Sequence, residues 1–255
     1  MPLDLLPRLR VVANFGVGYD RIDVAACAER GVVVTNTPGV LDEAVADLAL
    51  ALILASRRQV VEADRRVRTG RWSGFWAEGE LSEELHGSTL GIVGLGRIGS
   101  AVARRARGFE LRVLYTQRRR VETDLGEYRE LDALLAESDI VSIHAPLTAE
   151  TDGLVDARRL ALLRDGACLV NTARGEIVEE AALVAELVSG RIRAGLDVFA
   201  HEPQVPPELP ELPNVVLTPH IGSATRQTRE AMTRLVVDNL LAVERGDAPL
   251  TPVSP

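Results

Sequence analysis

The chain contains no lysine: all 29 of its basic residues are arginine. That absence excludes Schiff-base chemistry, pyridoxal phosphate attachment and the lysine that P-loops and kinases place on nucleotide phosphates. Cysteine is nearly as scarce. Cys27 and Cys168 stand far apart in the 255 residues, too few for a multi-cysteine zinc site or a disulfide framework, and their number suits a reducing cytoplasm. Positive charge is outweighed, with a formal net charge of -8, so nucleic acid and anionic membrane surfaces are not expected partners. Long apolar runs are missing too. The longest, Leu48 to Ala55, falls far below the ~18 residues that span a bilayer. Residues 1–10 lack the apolar core of a signal peptide, and a cytoplasmic protein is expected. The four histidines form no pair at metal-ligand spacing, and no metal is expected. Aromatic residues make up only 4% of the chain, yet Trp72, Phe75 and Trp76 fall in one short stretch. Such a cluster marks a packing or subunit surface, or a loop anchor.

What is present describes a globular α/β chain. Short β-branched runs alternate with helix-like stretches, the pattern of a parallel sheet covered by helices. Strands are expected at 90–93, 111–115, 140–143, 168–171, 194–198 and 215–217. Helices are expected at 98–108, 131–137, 157–163 and 179–189, and the proline-rich 203–213 reads as a loop. Before this unit, the apolar series Val45, Leu48, Ala49 and Leu52 predicts one long helix over 41–69, ending at Gly70. The first 40 residues offer strand 11–14, helix 22–29 and strand 32–35, and a C-terminal helix over 224–245 could return to pack on them. Two strands and one helix cannot bury a core of their own size, so this first domain is expected to be incomplete as written.

Gly94-Leu95-Gly96-Arg97-Ile98-Gly99 follows an apolar strand and opens a helix. In that context G-x-G-x-x-G indicates a dinucleotide site: the glycines allow a tight turn and close approach to a pyrophosphate, and the helix N-terminus meets its charge. An acidic residue that would hold the adenosine ribose is expected at the end of the second strand. Here Gln117 stands there, followed by Arg118, Arg119 and Arg120. A carboxylate that would repel a 2′-phosphate is missing and guanidinium groups that could fork onto one are present, so NADP is preferred, with NAD as the alternative.

Ligands in open parallel sheets bind outside the carboxyl ends of the strands. Those ends carry His144-Ala145-Pro146, Asn171-Thr172-Ala173-Arg174, Asp197 with Glu202, and His220-Ile221-Gly222. Reducing a 2-oxo acid requires a cation for the carboxylate and carbonyl oxygen, a hydride donor and an acid for the forming alkoxide. Arg174, the dinucleotide and His220 are the expected suppliers, with Glu202 stabilising the imidazolium. His144 is expected to shape the cofactor pocket.

These residues, with Asn14 to Asp23, Thr35-Asn36-Thr37-Pro38-Gly39 and Thr218 to Thr225, resemble the D-isomer-specific 2-hydroxyacid dehydrogenase family across essentially the whole chain. The resemblance implies a Rossmann-type doubly wound parallel-sheet nucleotide domain (41–222) inserted in a smaller flavodoxin-like α/β substrate domain (1–40 with 223–255), which would be truncated at its N-terminus. It implies that Arg174 orients the substrate, that Glu202 partners the acid His220 and that Asp197 holds the nicotinamide carboxamide. Gly94, Gly96, Arg97, Ile98, Gly99, Gln117, Arg118, Arg119, His144, Ala145, Pro146, Thr172, Ala173 and Gly222 would complete the cofactor site. Val17 and Gly18 would offer backbone N–H groups to the substrate carboxylate, aided by a positive-φ glycine geometry. Within the family, Gln117 before arginines resembles the NADP-using glyoxylate/hydroxypyruvate reductase group, with a small 2-oxo acid as substrate. Residues about 41–85 would be a dimer arm, giving a homodimer. The rival readings are a nonenzymatic dinucleotide-sensing protein of the corepressor type, binding a protein partner, and an inactive fragment.

Overall fold

The computed structural model describes residues 3–75 and 81–254, so Trp76 lies outside the described residues. The chain divides into two compact units, Val45–Gly222 and the pair of segments Met1–Ala44 and Ser223–Pro255.

The larger unit is built on a sheet of β3 (Thr89–Val93), β4 (Arg112–Thr116), β5 (Glu127–Tyr128), β6 (Ile140–Ile143), β7 (Cys168–Asn171), β8 (Arg193–Leu196) and β9 (Val215–Leu217). Its order is β5-β4-β3-β6-β7-β8-β9 and every pairing is parallel. The central strands β3, β6 and β7 are buried at every position, as a sheet covered on both faces requires. One apolar cluster holds Leu134, Val141, Leu169 and Leu196; the other holds Ile53, Leu90, Ile92 and Val102. The chain leaves β3 to add β4 and β5 on one side and β6 on the other, so the order reverses between β3 and β6. That switch point is where such sheets bind ligands.

Four expectations change. The helix foreseen over 41–69 is two, α2 (Asp42–Arg57) and α3 (Val60–Arg68), because Gln59 is left-handed at φ 51°. The break frees the Arg57 carbonyl, which accepts from the Glu83 N–H (3.2 Å), while the Gln59 amide donates to Leu81 O (3.3 Å). No glycine or proline signals it; the returning segment makes it. The helix foreseen over 157–163 stops at Leu160, and the Arg191 guanidinium donates to the released carbonyls of Leu160 and Leu163 (2.8 and 2.6 Å). The 203–213 loop contains a 3-10 turn at Leu209–Glu211. Strand β5 was not foreseen, since two polar residues carry no alternation to read. The remaining helices here are α4 (Arg97–Ala106), α5 (Leu131–Glu137), α6 (Ala157–Leu160) and α7 (Glu180–Val188).

The smaller unit holds β1 (Val11–Ala13), α1 (Val24–Glu29), β2 (Val33–Thr35), α8 (Arg226–Arg245) and β10 (Pro252–Val253). β2 pairs parallel with β1 and antiparallel with β10, so the sheet gains a third strand that composition did not suggest. Asn239 on α8 is fully buried; its Nδ2 donates to Thr251 Oγ1 (2.9 Å) and its Oδ1 accepts from Thr251 N–H (3.0 Å). The Thr251 hydroxyl passes the connection to Asn36 O at 2.6 Å.

Candidate active site

At the end of β3, Gly94 takes φ +97°, and a Cβ there would lie 2.8 Å from Ala145 N and 2.9 Å from His144 C. A Cβ on Gly99 would lie 2.1 Å from Gly94 O, so the first turn of α4 rests against the strand end. Gly96 differs: nothing lies within 4 Å of where its Cβ would be. The outer glycines are needed for packing and the middle one keeps a space open in front of the α4 N-terminus, where Arg97 and Ile98 begin the helix. A pyrophosphate fits that cradle.

Around the switch point, His144 is half-buried and its Nε2 pairs with Ser142 Oγ at 2.8 Å. Desolvation pushes its pKa down to about 4, so it is neutral at ordinary pH and unfit to donate a proton. Ala145 is buried and Pro146 exposed beside it. The Thr172 hydroxyl is buried and has no hydrogen-bond partner among the described residues, a polar atom left for a ligand to satisfy. Ala173 N–H is held by Asn171 Oδ1 at 2.9 Å. At the end of β4 the Gln117 amide donates to Arg119 O (2.7 Å); Arg118 and Arg119 are exposed, and Arg120 lies over the Tyr128 ring at 5.6 Å. All three arginines are exposed beyond the end of β4. These residues suit a nicotinamide dinucleotide, and the described residues contain no group of His, Cys, Asp and Glu that could hold a metal ion.

The segments that follow the neighbouring strands β7, β8 and β9 carry Arg174, Glu202 and His220 respectively. His220 Nδ1 lies 2.8 Å from Glu202 Oε2; the imidazole is 47% exposed and the carboxylate 23%. Glu202 Oε1 accepts from Phe199 N–H (3.2 Å). Asp197, 1% exposed, organises the turn that carries the histidine. Its Oδ1 accepts from the Thr218 hydroxyl (2.6 Å) and Ile221 N–H (2.8 Å), and its Oδ2 from Gly222 N–H (2.9 Å). His220 itself sits at φ +52°, a conformation that costs a non-glycine residue about 1–3 kcal/mol. Its own N–H donates to Asp197 O at 2.9 Å. The Arg174 guanidinium donates to Ala173 O (2.8 Å), and Asn171 Nδ2 donates to Arg174 O (2.8 Å).

Sequence reasoning missed two supports. Gly175 has no room for a side chain: a Cβ would lie 2.1 Å from Phe199 C and 2.2 Å from Ala200 N. Glu180 Oε1, at the start of α7, accepts from Ala200 N–H at 3.0 Å. Together they fix the segment that leads to Glu202. An acidic residue in a first helical turn reads as a dipole partner, which hides the second task.

In the smaller unit, Val17 and Gly18 lie on a bend held by side-chain amides. Asn14 Nδ2 donates to Gly16 O (3.0 Å) and Gly18 O (2.8 Å), and Asn36 Nδ2 to Val17 O (2.9 Å). The expected left-handed glycine is not found, since neither Gly16 nor Gly18 is at positive φ. The amides, not a glycine twist, shape the bend.

A parallel doubly wound sheet with this cradle and an acid pair beside it defines a dinucleotide-dependent oxidoreductase. Residues 50–222 match the model of the D-isomer specific 2-hydroxyacid dehydrogenase NAD binding domain. A glyoxylate reductase of Pyrococcus furiosus is 52% identical over 97% of this chain and 76% of its own length; one of Korarchaeum cryptofilum is 51% identical over 95% and 75%. Among solved structures, the NADPH-dependent glyoxylate/hydroxypyruvate reductase of Sinorhizobium meliloti, in complex with NADP and malonate, superposes with a TM-score of 0.93. It is 46% identical, covering 99% of this chain and 80% of that one. The chain belongs to the D-isomer specific 2-hydroxyacid dehydrogenase family.

Proposed function

We propose that this protein reduces a small 2-oxo acid of the glyoxylate or hydroxypyruvate type to the D-2-hydroxy acid, glycolate in the case of glyoxylate, with NADPH preferred over NADH. The observation that carries the reading is the 2.8 Å pairing of His220 with Glu202 at a strand end next to that of Arg174. A nicotinamide dinucleotide, when bound, supplies the hydride. The Arg174 guanidinium orients the 2-oxo acid and polarises its carbonyl. Glu202 holds Nδ1 of a protonated His220, and Nε2 gives its proton to the carbonyl oxygen as the C–H bond forms, leaving a hydroxyl. Asp197 keeps the turn in place and offers its carboxylate to the carboxamide. The backbone of Val17 and Gly18 receives the substrate carboxylate.

Preference for NADPH is supported by Gln117 in place of a carboxylate and by the exposed Arg118 and Arg119. A homodimer is supported by the exposed apolar residues Val60, Val61, Val67, Trp72 and Phe75 in and after α3; a second copy covering them would remove an unusual patch from water. No helix of the described residues is long and apolar enough to cross a membrane, and a cytoplasmic location remains the proposal.

The test is consumption of NADPH or NADH with glyoxylate, hydroxypyruvate, pyruvate and 2-oxoglutarate. Turnover with the first two, faster with NADPH, is expected. Absence of turnover with every acid in the presence of tight nucleotide binding would end this reading.

A further inference from the structure

We infer that Asn14 and Asn36 are positioning residues whose side-chain amides build an anion-receiving backbone array at Val17, Gly18 and Tyr19. The inference deepens the role proposed above for Val17 and Gly18 and rests on that reading for its ligand class.

In a trans peptide the carbonyl of one residue and the N–H of the next point in opposite directions. The carbonyls of Gly16, Val17 and Gly18 are all taken. Asn14 Nδ2 donates to Gly16 O at 3.0 Å and to Gly18 O at 2.8 Å, spending both donors of one amide, and Asn36 Nδ2 donates to Val17 O at 2.9 Å. Thr37 N–H gives Gly16 O a second bond at 3.0 Å. With three successive carbonyls held, the N–H groups of Val17, Gly18 and Tyr19 are turned away from the amides. Among the described residues nothing accepts from these three donors. Adjacent unpaired N–H groups of this kind attract a carboxylate or other oxyanion.

The clamp is itself anchored. Asn36 N–H donates to Thr251 O (3.3 Å), the Thr251 hydroxyl donates to Asn36 O (2.6 Å), and Thr251 is gripped by the fully buried Asn239. A bend without a left-handed glycine thus gains a single conformation from a relay that runs from α8 to the loop. The role differs from that of His220: the asparagines touch no reacting atom and act through the backbone they hold.

The experiment compares the intact chain with Asn14→Ala and Asn36→Ala. Each variant is expected to raise KM for glyoxylate and the inhibition constant of oxalate by about tenfold, the worth of roughly one lost hydrogen bond. kcat at saturating substrate and the NADPH dissociation constant are expected to stay within about twofold. Unchanged KM and oxalate inhibition, or a matching fall in kcat, nucleotide affinity and melting temperature, would mean the asparagines only stabilise the fold. A second measurement is independent of turnover. Oxalate should slow amide exchange at Val17 and Gly18 in the unaltered protein and do so far less in Asn14→Ala. If the protein binds oxalate in this way but reduces no 2-oxo acid, the proposed function fails and the clamp stands; if exchange at these amides ignores oxalate, the clamp fails whatever the activity.

Discussion

Glu202 Oε2 accepts from His220 Nδ1 at 2.8 Å, and among the described residues Nε2 of the same ring has no partner. One nitrogen is thus committed to orientation and the other is available for proton transfer. Replacing His220 with Gln should lower kcat by about a hundred- to ten-thousandfold, because the alkoxide loses its acid. Glu202→Gln keeps the shape and removes the charge, and should cost about ten- to a hundredfold, the value of a charge-assisted bond. Neither should move NADPH affinity measured by nucleotide fluorescence, and an equal loss of affinity would assign both residues to the fold alone.

Gln117 controls the choice of nucleotide in the proposed reading. Gln117→Asp puts a negative charge where a 2′-phosphate would sit, and should lower the NADPH-over-NADH ratio of kcat/KM by about tenfold or more. Steady-state kinetics with both nucleotides reads this directly. An unmoved ratio would leave the arginines following it as solvated surface residues.

Gly175 and Glu180 couple the arginine strand end to the segment bearing the glutamate. Gly175→Ala must displace backbone atoms at 2.1 and 2.2 Å, and such overpacking costs about 1–3 kcal/mol. Its melting temperature should fall and its kcat with it. Glu180→Ala should lower kcat while Glu180→Gln, which still offers an oxygen to Ala200 N–H, should restore most of it. If the two Glu180 variants are equally impaired, the bond to Ala200 is not what matters.

His144 makes stability depend on pH. Its folded value of about 4 lies below the ordinary histidine value, so between the two the unfolded chain binds a proton that the folded chain does not. Unfolding free energy should therefore be constant above about pH 6.5 and decline as pH falls toward 4. The decline from this residue is about 3 kcal/mol at most, in the absence of nucleotide. Urea titrations at pH 7 and pH 5 should differ less for His144→Gln than for the unaltered chain; identical differences would refute the assignment.

The parts of this molecule legible in its residues are those with short-range patterns. The buried strands announce themselves as β-branched runs, and the glycines at 94, 96 and 99 are tied to a local turn that only they permit. Arg174, Glu202 and His220 could be picked out because each follows a strand in a sheet whose ends face one way. The illegible parts depend on partners distant in sequence. Gln59 breaks a helix that its neighbours favour because residues 81–84 return to it. Strand β10 exists because β2 has a free edge, and nothing in Pro252-Val253 says so. Glu180 and Asn14 look like ordinary polar residues until the carbonyl or N–H they meet is known.

The left-handed backbone at His220 sets durability against turnover. Asparagine adopts that φ more readily than histidine does, so the turn would be more at ease without the proposed acid. A library of this protein screened for melting temperature alone would drift toward His220→Asn and accumulate robust, inert molecules, whereas one screened for activity would keep a residue its own backbone disfavours.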